Sequence, residues 1–279
     1  MGPLDALNAV FLTHLHSDHV SDLSNLFLLG AHNGLQANPK APVKLYGPEN
    51  RSELPPVFGE GPAPEVVKDD SPTPGTREMW DHLVSAFATD FNDRARDNRL
   101  PTPSELVEAF DIELPGELSS DPNGNPHPRM SPIQVFEDDR VRVSATLVQH
   151  APVFPALAFR FDRDEGSVVF SGDTGPSDNL VELAENVDVL VHEVISRQFM
   201  EQAYPEPRTT AEEGILQHLL ASHTTIEEVG PIAERAGAKL LALNHLVPAH
   251  LPDDDWIGAQ EGFSGRLRVG HDLDTINVP

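Results

Sequence analysis

VFLTHLHSDHVSDL, residues 10–23, sets three histidines and an aspartate within six positions, directly behind an apolar run. Val10, Phe11 and Leu12 have the character of a buried strand end, so His14, His16, Asp18 and His19 fall on the tight loop that follows. Alternation along an extended chain places His14 and His16 on one side. An ordinary solvated turn draws on Gly, Asn, Asp, Ser and Pro for their backbone preferences. Clustered imidazoles and carboxylates are instead what divalent metals require.

Composition narrows the chemistry. The chain has 279 residues, 39% of them apolar, enough for one large core or two modest ones. Its 45 acidic and 19 basic side chains leave a formal charge of -26, whose field repels polyanions and anionic membrane surfaces. Solubility accounts for such acidity without any specific acidic role. There is no cysteine, so every protein ligand to a metal must come from His, Asp or Glu. No stretch approaches 18 apolar residues, and MGPLDALNAV lacks the basic-then-apolar layout of a signal peptide. A soluble protein without a membrane partner is expected, in the cytoplasm ahead of the periplasm or secretion.

Working outward from the histidine loop, 21–29 has helical spacing, with Leu23, Leu26 and Phe27 on one face. Residues 39–75 hold nine prolines together with Gly59, Gly61 and Gly75 and predict an irregular surface excursion. Trp80, Leu83, Val84, Phe87 and Phe91 predict one amphipathic helix of roughly six turns over 76–99. Thr102, Pro103 and Glu105 open a short helix expected to run through Phe110. The span 48–132 is therefore expected to be an inserted, proline-rich lid or subdomain, with 1–47 and 133–279 forming the main domain. Beyond it, strands are expected at 141–147, 156–161, 167–171, 187–191 and 239–243, and helices at 179–185, 209–221 and 224–237. Several of these strands end at a His or Asp.

Four strand ends thus supply His14, His16, Asp18 and His19, then His150, Asp173 and His245. Seven nitrogen and oxygen ligands suit two adjacent divalent ions. Such a pair lowers the pKa of water toward neutrality and clamps the attacking and leaving oxygens, which makes hydrolysis its most natural reaction.

THLHSDHVSDL resembles the HxHxDH motif of the metallo-β-lactamase superfamily, and VQHAP, FSGDT and LNHLVP resemble its later single-ligand motifs, in the same order. The resemblance spans nearly the whole chain outside 48–132. It implies an αββα sandwich in which His14, His16 and His150 hold one metal, Asp18, His19 and His245 the other, and Asp173 bridges them. Asp18 also stands where the family orients the attacking water. LVHEVI and ASHTT resemble the HEAT and HST motifs of the ribonuclease Z branch, which also contains arylsulfatases and phosphodiesterases. By that likeness His223 protonates the leaving group and Glu193 orients it. Thr224 and Glu227 have capping-box spacing, which would set His223 at a helix N-terminus, where anions are favoured. His192, beside Glu193, is open to ligation or to a supporting role. His32, His82, His127, His218, His250 and His271 have no partner spacing, and most of them are expected at the surface.

The sequence departs from the family pattern twice. Two or more strands normally precede the HxHxDH loop, whereas here there is room for barely one. That implies a truncated sequence or a sheet completed in another way, with lower stability or pairing to another chain. The tRNA-processing members carry an exosite arm between the third histidine ligand and the bridging aspartate, but only 22 residues separate His150 from Asp173. Arg94, Arg96 and Arg99 lie among acidic neighbours and form no basic groove. The expectation is a dinuclear hydrolase that uses metal-activated hydroxide on a small phosphodiester, sulfate ester or other ester. Its two divalent ions are zinc before manganese or iron, and it is a homodimer by likeness to the branch. The alternatives are a tRNA 3′-processing endonuclease, against which the charge and the missing arm argue, and a non-catalytic metal-binding scaffold.

Overall fold

The computed structural model describes residues 4–278, which divide into two compact units. The first comprises 1–54 and 66–116, and the second 55–65 and 117–279. The span 48–132 is shared between them, with 48–54 and 66–116 in the first and 55–65 and 117–132 in the second.

The first unit is built on a parallel three-stranded sheet of β1 (Ala9–Phe11), β2 (Val43–Pro48) and β3 (Val107–Ile112), in that order. Between β1 and β2 lie α1 (Ser17–Val20) and α2 (Leu23–Leu28), and between β2 and β3 lie α3 (Thr76–Ala86), α4 (Ala88–Asp97) and α5 (Pro103–Leu106). The alternation of Val43 and Leu45 with Lys44 and Tyr46 divides β2 into two faces. Val43 and Leu45 are fully buried in a core with Phe27, Leu35, Trp80 and Val107. On the opposite face Phe11, Tyr46 and Phe110 stack across the register, with ring centroids 5.3 and 5.0 Å apart. Such cross-strand aromatic pairs stabilise and fix the pairing.

Three local expectations change here. β2 lies inside the stretch expected to be irregular, because its flanking Pro42 and Pro48 mask a six-residue alternating strand. The single helix expected over 76–99 is two helices, broken at Phe87, where φ is -102° and ψ 16°. The capping box at Thr102 and Glu105 forms, but its helix lasts one turn and Val107 starts β3. Pairing with β2 and burial of Val107 outweigh local helix propensity.

The second unit holds a seven-stranded sheet in the order β10-β9-β8-β7-β6-β5-β4. Its strands are β4 (Ile133–Glu137), β5 (Arg142–Leu147), β6 (Leu157–Arg163), β7 (Gly166–Phe170), β8 (Val189–Ile195), β9 (Leu240–Val247) and β10 (Arg266–Val269). Pairing is antiparallel from β4 to β7 and parallel from β7 to β10. Its helices are α6 (Asp178–Leu183), α7 (Arg197–Ala203), α8 (Thr210–Ser222) and α9 (Ile226–Ala236). Val169, Leu190, Leu241 and Leu243 point to one face and pack with Leu180, Leu183, Val229, Ile232, Ala233 and Trp256. Two sheets with helices are the composition of the expected αββα fold, and no helix among the described residues is long and apolar enough to cross a membrane.

β8 and β9 run further than expected, so Glu193 and His245 lie within strands rather than past their ends. β4, β10 and α7, too short to show a clear period, join the expected elements.

Leu190 is fully buried at the centre of the second core, whereas Leu273 is 94% exposed. Leu190→Ala should therefore cost about 2–5 kcal/mol of unfolding free energy, and Leu273→Ala should stay within about 0.5 kcal/mol. Equilibrium urea denaturation checks both.

Candidate active site

In the first unit, pairing continues past β1 through Leu12, whose N–H donates to the Tyr46 carbonyl at 2.8 Å. That bond fixes where the chain leaves the sheet. His14 follows, fully buried, and His16 lies two residues on, with the two rings 4.7 Å apart. The single turn of α1 carries Asp18 and His19, placing the His19 ring 4.1 Å from that of His14 and its Nε2 3.6 Å from Asp18 Oδ2. Three imidazoles and a carboxylate converge on one short loop, as expected. Imidazoles packed this closely repel one another when protonated, so the cluster suits a bound cation.

In the second unit, β5 leads through Gln149 to His150, which is 1% exposed. Gln149 is tied to the neighbouring loop, its carbonyl accepting from the Gly175 N–H at 2.7 Å and its N–H donating to Thr174 Oγ1 at 3.1 Å. His150 Nδ1 lies 2.9 Å from the Ser222 carbonyl. A carbonyl only accepts, so Nδ1 carries the proton and the lone pair stands on Nε2, as a metal ligand needs. That nitrogen is 4.0 Å from Asp173 Oδ2.

Asp173 follows β7 through a turn in which Gly172 has φ +60°, the left-handed region that glycine enters without steric cost. His245 interrupts the β8–β9 register, in which Glu193 pairs with Asn244 and Val194 with Leu246. It too lies in the left-handed region, at φ +44°, an uncommon position for a side chain with a Cβ. The bulge turns its imidazole so that Nε2 sits 3.6 Å from Asp173 Oδ2.

His223 terminates α8, its ring 5.1 Å from that of His150 and parallel to that of His245 at 6.1 Å. Its Nδ1 is 2.9 Å from Glu193 Oε1. The same oxygen accepts from the Thr174 N–H at 2.9 Å and, more weakly, from the Thr224 N–H at 3.4 Å. Burial holds the Glu193 carboxyl above its ordinary range, and His223 offsets only part of that rise. Glu193 Oε2 is buried with no hydrogen-bond partner among the described residues. Asp173, His223 and His245 each offer one ligand atom, all within 4.8 Å of one another, so the donor set of this unit fits a divalent cation.

The chain matches the family model described as the metallo-beta-lactamase superfamily over residues 2–195. It belongs to that superfamily. Among its relatives are the ribonuclease Z of Mycobacterium bovis (strain BCG / Pasteur 1173P2), 30% identical across 98% of this chain and 80% of that protein. A putative ribonuclease Z of Mycobacterium tuberculosis (strain CDC 1551 / Oshkosh) is likewise 30% identical, across 96% of this chain and 98% of its own length. Solved structures share the fold, two of them as follows. Human tRNase Z, short form, aligns with TM-score 0.56 at 16% identity, covering 98% of this chain and 79% of that one. YhfI of Bacillus subtilis aligns with TM-score 0.51 at 19% identity, covering 95% and 75%. This superfamily member is a metal-dependent hydrolase acting on ester bonds.

Some neighbours of the site escaped sequence reasoning. The capping box begins one residue later than expected, at Thr225 with Glu228, so Thr224 is released from capping. Its hydroxyl instead donates to the Thr174 carbonyl at 2.7 Å, tying the Asp173 loop to the His223 loop. Ser171 Oγ accepts from the Glu193 N–H at 3.1 Å. The only available signal was that these hydroxyl residues flank the site residues in FSGDT and ASHTT. His192 belongs to none of the metal-compatible groups among the described residues. It is fully buried, its Nδ1 meeting the Glu193 carbonyl at 2.6 Å and its Nε2 finding no partner among the described residues.

Burial lowers the His192 pKa from 6.5 to about 4. The unfolded chain therefore binds a proton near pH 6.5 that the native state refuses, and stability falls as pH drops from about 6.5 toward 4. The loss attributable to this group is at most about 3 kcal/mol. Urea midpoints measured across this window should flatten in His192→Leu relative to the parent.

Proposed function

We propose that this chain is a dinuclear hydrolase of small esters, with a phosphodiester as its first substrate class and sulfate and other esters behind it. The observation that carries the reading is the pairing of a ligand cluster, Asp173 with His245 and His150, with an adjoining buried acid–base pair, Glu193 with His223, in which Glu193 claims His223 Nδ1. One group suits metal binding, and the other suits proton transfer at the same strand ends. Under this reading His14, His16 and His150 hold one ion, Asp18, His19 and His245 hold the second, and Asp173 is shared. Zinc is the first choice for these donors, with manganese or iron as substitutes.

When bound, the ions activate water and offset negative charge on the ester oxygens. The protein supplies the rest. Nδ1 of His223 is held by Glu193, which leaves Nε2 to present a proton to the departing oxygen. Two backbone N–H groups keep Glu193 fixed while it does so. Asp18 orients the attacking water, and the 150–173 segment is occupied by β6 and β7, which leaves no arm for a long polyanion.

A second reading, a tRNA 3′-processing endonuclease, is favoured by the name shared by relatives that match 98% of the chain. Its requirement for a polyanion-binding surface runs against the charge of -26.

The test combines metal analysis with hydrolysis of bis-p-nitrophenyl phosphate and p-nitrophenyl sulfate. About two ions per chain and turnover of either ester are expected. His223→Ala should retain the metal and lose roughly 100-fold or more in kcat. Loss of metal in that variant would make His223 a ligand instead. Tight, salt-sensitive binding of a tRNA precursor, with cleavage, would replace the first reading by the second.

A further inference from the structure

α8 ends without the devices that commonly close a helix. Its last turn holds no lysine or arginine, and His223 at its C-cap is extended, at φ -130° and ψ 158°, rather than left-handed. The terminal carbonyls have no partner inside the helix and must find donors elsewhere. Two of them find donors on consecutive residues beyond β5. Gln149 Nε2 donates to the Ala221 carbonyl at 3.1 Å, and His150 Nδ1 donates to the Ser222 carbonyl at 2.9 Å. The hydroxyl of Ser222, a residue only 1% exposed, reaches back and donates to the Ala151 carbonyl. A hydroxyl has one proton, so in its 3.2 Å contact with His218 Nδ1 the imidazole is the donor. A Cβ at Gly175 would stand 2.6 Å from the Ala221 carbonyl oxygen, so the loop that follows Asp173 lies against the same helix end.

We propose that Ser222 and Gln149 are positioning residues for the proposed metal ligand His150, clamping its turn onto the end of α8. The inference rests on the reading of His150 as a ligand. Residues 149, 150 and 151 meet residues 221 and 222 through three hydrogen bonds, two donated toward the helix and one returned by it. The bonds on either side of His150 fix the main chain that carries it, and its own bond fixes the ring, so that Nε2 is held at 4.0 Å from Asp173 Oδ2. α8 is thirteen residues long and turns the negative end of its dipole toward the Nδ1 proton, which strengthens Nε2 as a donor to a cation. Ser222 and Gln149 act through His150 and not on the substrate.

Ser222→Ala removes the hydroxyl. Gln149→Leu removes the amide and keeps the main-chain bonds of residue 149 to Thr174 and Gly175. In the metal-loaded protein each variant should hold one ion about 10–100-fold more weakly, measured by zinc competition with a chelator. Each should also alter the visible spectrum of the cobalt-substituted protein, which a merely structural role leaves unchanged. Ser222→Thr, which keeps the hydroxyl, should restore both. His150→Ala is measured in parallel. If it retains both ions as tightly as the parent, the reading of His150 as a ligand fails and the proposal falls with it. If it loosens one ion while Ser222→Ala and Gln149→Leu keep the parent's affinity and cobalt spectrum, the proposal alone is overturned. Should Ser222→Ala fail to fold, Gln149→Leu decides by the same two readouts.

Discussion

The buried carboxylate of Glu193 is the contact on which the arrangement of Asp173 and His223 in the second unit depends. A carboxylate removed from water is costly unless its lone pairs are met. Glu193 Oε1 is met from three directions: the Thr174 N–H behind Asp173, the Thr224 N–H behind α8, and the imidazole of His223. Thr224 Oγ1 closes the circuit on the Thr174 carbonyl. The side chain that would orient a proton donor therefore also holds together the two loops that bear Asp173 and His223. The need of Oε1 and the loop geometry are met by the same atoms, while Oε2 is buried with no partner among the described residues, and such a network loses more than the sum of its bonds when one member is removed.

Around that contact, strand backbones decide where the ligands stand. His150 takes its orientation from the Ser222 carbonyl, Asp173 from a glycine turn, and His245 from a bulge in β9. In the first unit the equivalent task falls to a hydrogen bond from Leu12 to β2 and one turn of helix. Left-handed backbone at His245 is unfavourable by itself, and it persists where the surrounding ladder determines it. The same sheet uses its two faces differently, one for the core under α6 and α9 and the other for a smaller apolar cluster that Ile276 and Val278 join.

The seven proposed ligands and the pair His223 and Glu193 could be proposed from the sequence because metal and acid–base chemistry restrict residue type so severely. In a chain without cysteine, HLHSDH has few other uses. The αββα composition was legible for a related reason, since Val189–Val191 and Leu240–Leu243 are continuous apolar runs of the kind a doubly covered parallel sheet requires. Less legible were elements whose identity depends on a distant partner. Val107 follows a well-formed helix start and nevertheless opens a strand, because β2 lies beside it; β2 was hidden between prolines.

What the sequence determined by itself was chemical type and order: which side chains could bind metal, which could move a proton, and which strands would carry them. Tertiary structure decided positions that no local pattern encodes. It shifted the helix cap from Thr224 to Thr225, freeing a hydroxyl to join two loops, and it placed His245 in a bulge rather than past a strand end. It also buried His192 and left its Nε2 without a partner among the described residues. These outcomes follow from packing between segments far apart in the chain, where burial and backbone pairing outweigh the small local preferences that a sequence displays.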